Sequence, residues 1–164
     1  DSLSIYKSKL RTIPEAIENV ESGDTIVHSM CVSEPAGLLH ELANQIEAER
    51  IDDVYIYTLL ALKHSRESYL RPGVIEKINP RSWFVSGFDR DLIKQGDSIF
   101  VPNEFYQIPR LIKENMDLDV VFATVSPMDS AGYFSFGTSN DYTSSAARRA
   151  KTLIVEVNPR MPRV

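Results

Sequence analysis

The sequence predicts an open α/β domain in which a mostly parallel sheet is flanked by helices. Three observations carry that expectation. Apolar runs rich in β-branched residues alternate with helical segments along the chain. Several of these runs are hydrophobic at nearly every position, as strands buried on both faces must be. Residues 25 to 60 read as strand, helix and strand, the unit of a parallel crossover. One domain accounts for the 164 residues, and a chain of that size withdraws about two thirds of its unfolded surface from water.

The first marked element begins at Thr12, a capping hydroxyl ahead of Pro14 and Glu15. Ala16, Ile17 and Val20 form its apolar face, and Ser22-Gly23-Asp24 ends it. Thr25 to Val32 is the first strand. Ser33-Glu34-Pro35 opens a second helix with Ser33 as its cap, and Leu38, Leu39, Leu42 and Ile46 recur at helical spacing up to Glu49. Val54 to Leu60 is the second strand, whereas Lys63 to Asn79 reads as loop broken at Pro72-Gly73. Ser82 to Val85 is a short apolar segment, Asp89 to Gln95 a helix terminated by Gly96, and Ile99 to Val101 a strand. A helix over Phe105 to Asn115 leads to the central strand, Leu118 to Val125. Thr143 to Lys151 is helical, and Leu153 to Val157 is another buried strand.

Composition narrows the function classes. With 43% hydrophobic and 25% charged residues, the chain is an ordinary globular one. A net charge of −5 argues against nucleic acid as the main partner, because phosphate-backbone binding needs a surplus of lysine and arginine. Anionic ligands stay open, since helix-start N–H groups bind them without net positive charge. The single cysteine, Cys31, excludes an internal disulfide and fits a reducing compartment, so cytoplasm is expected. No run of about 18 apolar residues occurs and the first residues lack the pattern of a leader, so neither membrane span nor export signal is expected. The missing initiator methionine reads as numbering that begins inside a longer or processed product.

Ligands of open parallel sheets bind beyond the carboxyl ends of the strands. Two connections there are candidate cleft walls. One is Ser33, Glu34 and Pro35, where helix N–H groups could face a phosphate or carboxylate, or where Ser33 merely caps a helix. The other, Ser126 to Tyr142, is too long for a plain connection. It concentrates polar groups in Ser126, Asp129, Ser139, Asn140, Asp141 and Tyr142, with Gly132 and Gly137 allowing close approach of the backbone. Such residues also build ordinary hairpins, and Tyr133 and Phe136 could simply cover the sheet. Glu156, inside an apolar strand, would have its pKa raised by burial, yet a structural role is favoured for it. Cys31 is read as a small hydrophobe rather than a nucleophile. His28, His40 and His64 lie far apart in sequence with no ligand spacing, so no metal is expected.

The segment from Val125 onward carries Val-Ser-Pro-Met-Asp-x-x-Gly-Tyr-Phe-Ser-Phe-Gly-x-Ser-x-Asp-Tyr, followed by Ile-Val-Glu-Val-Asn-Pro-x-Met-Pro-Arg. It closely resembles the acetyl-CoA hydrolase/transferase family, which includes 4-hydroxybutyrate CoA-transferase. Ser22-Gly23-Asp24, Glu34-Pro35 and Val101-Pro102 extend the resemblance over nearly the whole chain. The resemblance implies the CoA-transferase fold, also shared by sugar-phosphate isomerases and some translation-factor subunits, with residues 1–164 as the first of two α/β domains facing an acyl-CoA cleft. It implies no permanently bound cofactor, coenzyme A and acyl-CoA as substrates, a small carboxylic acid as co-substrate, and a homo-oligomer.

By the same resemblance, a glutamate attacks the acyl-CoA, and an acyl-glutamyl anhydride and then a glutamyl-CoA thioester form before the acid takes up the CoA. That glutamate and a glycine-rich CoA loop belong to the second domain, so no catalytic residue is expected in this chain, which alone would be inactive. Acetate, butyrate and 4-hydroxybutyrate are candidate acids. Where many relatives have a glycine-rich turn, this chain reads His28-Ser29-Met30-Cys31-Val32, so Met30 would narrow the acyl pocket. Hydrolysis by the same family, or a non-catalytic module on this fold, are the alternatives. The face meant for the second domain is expected to make the isolated piece self-associate.

Overall fold

The computed structural model describes all 164 residues. Six strands, β1 (Thr25–His28), β2 (Tyr55–Thr58), β3 (Asn79–Ser82), β4 (Ile99–Phe100), β5 (Val120–Val125) and β6 (Thr152–Val157), form one sheet in the order β4-β3-β2-β1-β5-β6. Every pairing is parallel. The chain starts at the centre with β1, winds outward to β4, and then returns to lay β5 on the other side of β1. This reversal makes the carboxyl ends of β1 and β5 the topological switch point, where open α/β sheets carry their ligand crevice.

Seven helices complete the domain: α1 (Ser2–Lys9), α2 (Ile13–Ile17), α3 (Ala36–Glu47), α4 (Lys63–Glu67), α5 (Gly87–Gln95), α6 (Ile108–Asn115) and α7 (Thr143–Arg149). The continuous hydrophobicity of the central strands follows from their two buried faces. Ile26, Val120 and Phe122 join Leu39, Leu42 and Ile46 of α3 in one core. Their neighbours Val27, Val121 and Ala123 join Ile108, Ile112 and Ala146 of α6 and α7 in the other. Complete burial of a side chain such as Leu42 or Ile112 contributes about 1.5–3 kcal/mol.

Most expected elements are present, with shifted ends. The capping box at Thr12 is as predicted: Glu15 N donates to Thr12 Oγ1 and the Glu15 carboxylate accepts from Thr12 N. However, α2 ends at Ile17 rather than reaching Ser22. β1 stops at His28, not Val32, because Cys31 adopts a left-handed φ of 52° and a 3-10 turn, Cys31–Ser33, follows. Ser33 does not cap α3; its hydroxyl faces Thr138 Oγ1 at 3.5 Å, and the cap position is held by Pro35. The stretch read as loop contains α4, a 3-10 turn (Ile75–Lys77) and the start of β3. Pro80 lies inside β3 between two neighbours, which disguises the strand in the sequence. β6 is a sheet edge with Leu153 45% exposed, and not a buried strand.

Candidate functional site

Three backbone positions single out the carboxyl edge. Cys31 after β1, Leu60 after β2 and Asp141 in the connection after β5 all hold left-handed φ values, 52°, 55° and 30°, without being glycine. L-residues adopt that region rarely, and the cost is tolerated where surrounding structure enforces it, often beside a ligand. The other two such residues, Glu49 and Asp53, are at the opposite edge, after α3 and ahead of β2. Sequence gives no sign of Leu60, since leucine carries no preference for this conformation.

The turn after β1 is fixed at both ends. Ser29 Oγ donates to Ser33 O at 2.6 Å, closing the turn across its base, and accepts from Thr124 N of β5 at 3.3 Å. Glu34 is 6% exposed, and its carboxylate is fully engaged. It accepts from Leu62 N (2.8 Å), His64 N (3.0 Å), Ser65 N (3.4 Å) and Ser65 Oγ (2.5 Å), and so caps α4 from a distant part of the chain. Between these anchors Met30 packs on the α6–α7 side of the sheet and Val32 is exposed. Burial, with the Asp141 and Glu34 carboxylates nearby, pushes the Cys31 thiol above its usual range, so the thiolate is disfavoured.

Glu156, the other acid considered, also serves a helix. Its Oε2 accepts from Leu38 N at 3.0 Å, which replaces the side-chain cap that Pro35 cannot supply to α3. Gly37 makes room for it: a Cβ there would lie 3.2 Å from Glu156 Oε2.

The long connection divides into two parts. Ser126 to Ser135 closes on itself: Ser126 N donates to Ser135 O (2.9 Å) and Ser135 N to Ser126 Oγ (3.0 Å). At its tip the Asp129 carboxylate accepts from Tyr133 N (2.7 Å) and Ala131 N (3.0 Å) and pairs with Arg163. Those backbone donors, then Arg163, hold its carboxyl below the usual range. Gly132 (φ 89°) lies against Ser2 of α1, and Gly137 (φ 65°) leaves no room for a Cβ beside Met161. Tyr133 is 69% exposed. Thus Ser126, Asp129, Gly132 and Gly137 have structural duties on the β6 side of the domain.

The second part, Thr138 to Tyr142, returns to the crevice. Thr138 meets Ser33, and Asp141 approaches Cys31. Asn140 holds the start of α7, its Oδ1 accepting from Ser144 N at 3.1 Å; Ser139 beside it is half-buried. Tyr142 is completely buried, and its hydroxyl donates to His28 O at 2.9 Å. Ser139, Asn140 and Asp141 therefore gather near the crevice, whereas Ser33, Glu34, Pro35 and Tyr142 are buried beneath it. His40 and His64, distant in sequence, pack edge to face with ring centres 6.0 Å apart.

Six parallel strands flanked by helices, with the strand order reversing between β1 and β5, define the class: an open α/β domain. Residues 1–164 match the acetyl-CoA hydrolase/transferase N-terminal domain, and the chain belongs to that family. It is 36% identical over 160 residues to the 4-hydroxybutyrate coenzyme A transferase of Clostridium kluyveri, covering 97% of this chain and 36% of that protein. It is 32% identical over 163 residues to the butyryl-CoA:acetate CoA-transferase of Anaerostipes caccae, covering 96% and 35%. The crystal structure of RipA from Yersinia pestis superposes with a TM-score of 0.95 at 39% identity, covering 100% of this chain and 40% of that one. The chain thus spans about a third of the curated relatives it matches. No helix is long and apolar enough to cross a membrane.

Proposed function

We propose that this domain forms one wall of the active site of a CoA-transferase that moves CoA between an acyl-CoA and a small carboxylic acid, with the nucleophilic glutamate outside residues 1–164. The observation that carries this reading is that both glutamates at the carboxyl edge, Glu34 and Glu156, are spent as helix caps. The Glu34 carboxylate, accepting three N–H bonds and one hydroxyl, and the Glu156 carboxylate, bound to Leu38 N, are placed for capping rather than for attack on a carbonyl. The names of the relatives point to acetate, butyrate or 4-hydroxybutyrate as the acid.

In the proposed cycle the glutamate carboxylate attacks the thioester carbonyl, and CoA leaves as thiolate from an acyl-glutamyl anhydride. The thiolate then attacks the glutamyl carbonyl, releasing the first acid and leaving a glutamyl-CoA thioester. The second acid repeats the two steps in reverse, so no water is consumed. The Met30–Ser33 turn and the Thr138–Asp141 segment bound the acyl group and exclude water from the anhydride. Met30, half-buried at the turn, limits the length of the acyl chain.

The test uses the full-length enzyme with acetyl-CoA and each acid, following new thioester by mass spectrometry. Transfer exceeding hydrolysis, and inactivation by borohydride only after exposure to acyl-CoA, is the expected result. Hydrolysis alone assigns the protein as an acetyl-CoA hydrolase, and neither activity assigns a non-catalytic module. Residues 1–164 alone are expected to show no turnover, and Met30→Gly to change the relative kcat/KM among the three acids.

A further inference from the structure

The turn after β1 is tethered at both feet to one and the same distant segment. At the first foot, His28 is completely buried; its Nδ1–H donates to Ser29 O at 2.8 Å, which leaves Nε2 to accept the Tyr69 hydroxyl at 2.8 Å. Tyr69 is itself fully buried, just beyond α4, with its ring edge-on to the imidazole. At the second foot, Glu34 accepts all its hydrogen bonds from residues 62 to 65, at the start of the same segment. The connection between β2 and β3 is therefore the clamp on which the Met30–Val32 turn is mounted, although that connection presents neither Tyr69 nor Ser65 to solvent.

We infer that Tyr69 and Glu34 are positioning residues: they hold the Met30–Val32 turn, with Cys31 in its left-handed conformation, in the one arrangement that shapes the acyl side of the cleft. A free turn would relieve the strain at Cys31 by reverting to extended backbone, the conformation that continues β1 and that the residues Met30, Cys31 and Val32 prefer. Tyr69 and Glu34 act at opposite ends of the turn, beside the Ser29 and Tyr142 hydrogen bonds that also hold it. Burial keeps the His28 imidazole neutral, as acceptance of the Tyr69 proton demands. The link from turn position to acyl preference rests on the function proposed above; the tethering itself does not.

Two variants separate the anchors. Tyr69→Phe removes one hydroxyl and keeps the ring. Glu34→Gln keeps the shape, but whichever way its amide turns, the NH2 group faces two donors that the carboxylate accepts. In the full-length enzyme, Cys31 reports the state of the turn, read as the rate of maleimide labelling after subtraction of a Cys31→Ser control. Each variant is expected to accelerate labelling about tenfold, the factor matching the loss of one buried hydrogen bond, and to change the ratio of kcat/KM between a short and a long acyl acceptor while the KM for CoA thioester stays within about twofold. Ile112→Val, on the buried face of α6, serves as the comparison; it lowers the melting temperature without moving either readout. Labelling as slow as in the parent protein overturns the tethering. Faster labelling with an unchanged acid ratio in an enzyme that transfers CoA overturns the positioning role. If the parent enzyme transfers no CoA, the proposed function fails, and the labelling rates still decide whether Tyr69 and Glu34 hold the turn.

Discussion

The two connections at the carboxyl edge are built on opposite plans. The long one after β5 is conspicuous in sequence and stabilises itself: Ser126 bonds Ser135, Asp129 bonds its own hairpin, and Arg163 and Met161 of the chain's last residues close over it. The short one after β1 is inconspicuous and is held from afar, through Tyr69, Tyr142, Thr124 and residues 62 to 65. The dense run of polar residues and glycines is mostly hairpin architecture, and two of the three strained positions at the carboxyl edge, Cys31 and Leu60, sit where the sequence looks like ordinary strand.

The largest expected effect tests the remote anchoring. Glu34→Ala strands four donors at the start of α4 and should lower stability by about 3 kcal/mol in urea denaturation. Gly137→Ala, in the self-closed connection, forces a Cβ onto Met161 in a left-handed backbone and should cost about 2 kcal/mol. A larger loss for Gly137→Ala than for Glu34→Ala would reverse the comparison.

Acid should separate the same two regions in sequence. Burial lowers the His28 pKa below its ordinary 6.5, so between that value and the lowered one the unfolded chain binds more protons than the folded one. Stability is then full above about pH 6.5 and falls as pH decreases, with a slope of at most about 1.4 kcal/mol per pH unit. His28→Gln should flatten that part of the curve. Asp129, whose carboxyl is held below 3.8 by Tyr133 N and Arg163, contributes above pH 3.8 and is lost only as pH falls further; its loss should vanish in Asp129→Asn. The smallest effect belongs to Tyr133→Ala, which removes an exposed ring and should alter the urea midpoint by less than the equivalent of about 0.5 kcal/mol.

The parallel sheet was legible because burial on two faces leaves a continuous apolar record in Val120 to Val125 and Ile26 to Val27. The capping box at Thr12 and the stop at Gly96 were legible because each depends on residues adjacent in sequence. β3 was not, since Asn79-Pro80-Arg81-Ser82 has neither the composition nor the donor pattern of a strand between two neighbours. The caps of α3 and α4 were equally hidden: Glu156 and Glu34 reach them across 118 and about 30 positions, so local rules assigned the first to Ser33 and missed the second. Cys31 and Leu60 carry no sequence mark of left-handed backbone. Of the cleft candidates, those bound by local turns were visible but structural, and those set by distant contacts became recognisable only in three dimensions.

The bond from the Tyr142 hydroxyl to the carbonyl of His28 spans 114 positions, and that from Thr124 N to Ser29 Oγ spans 95. β1 leaves the ribosome well before β5 and Tyr142, and the turn beyond it cannot acquire its final shape until Tyr142 has been synthesised. During that interval β1 has an unsatisfied side awaiting β5. Such long-range parallel pairing slows folding in general, and here the carboxyl edge is complete only once β5 has joined β1.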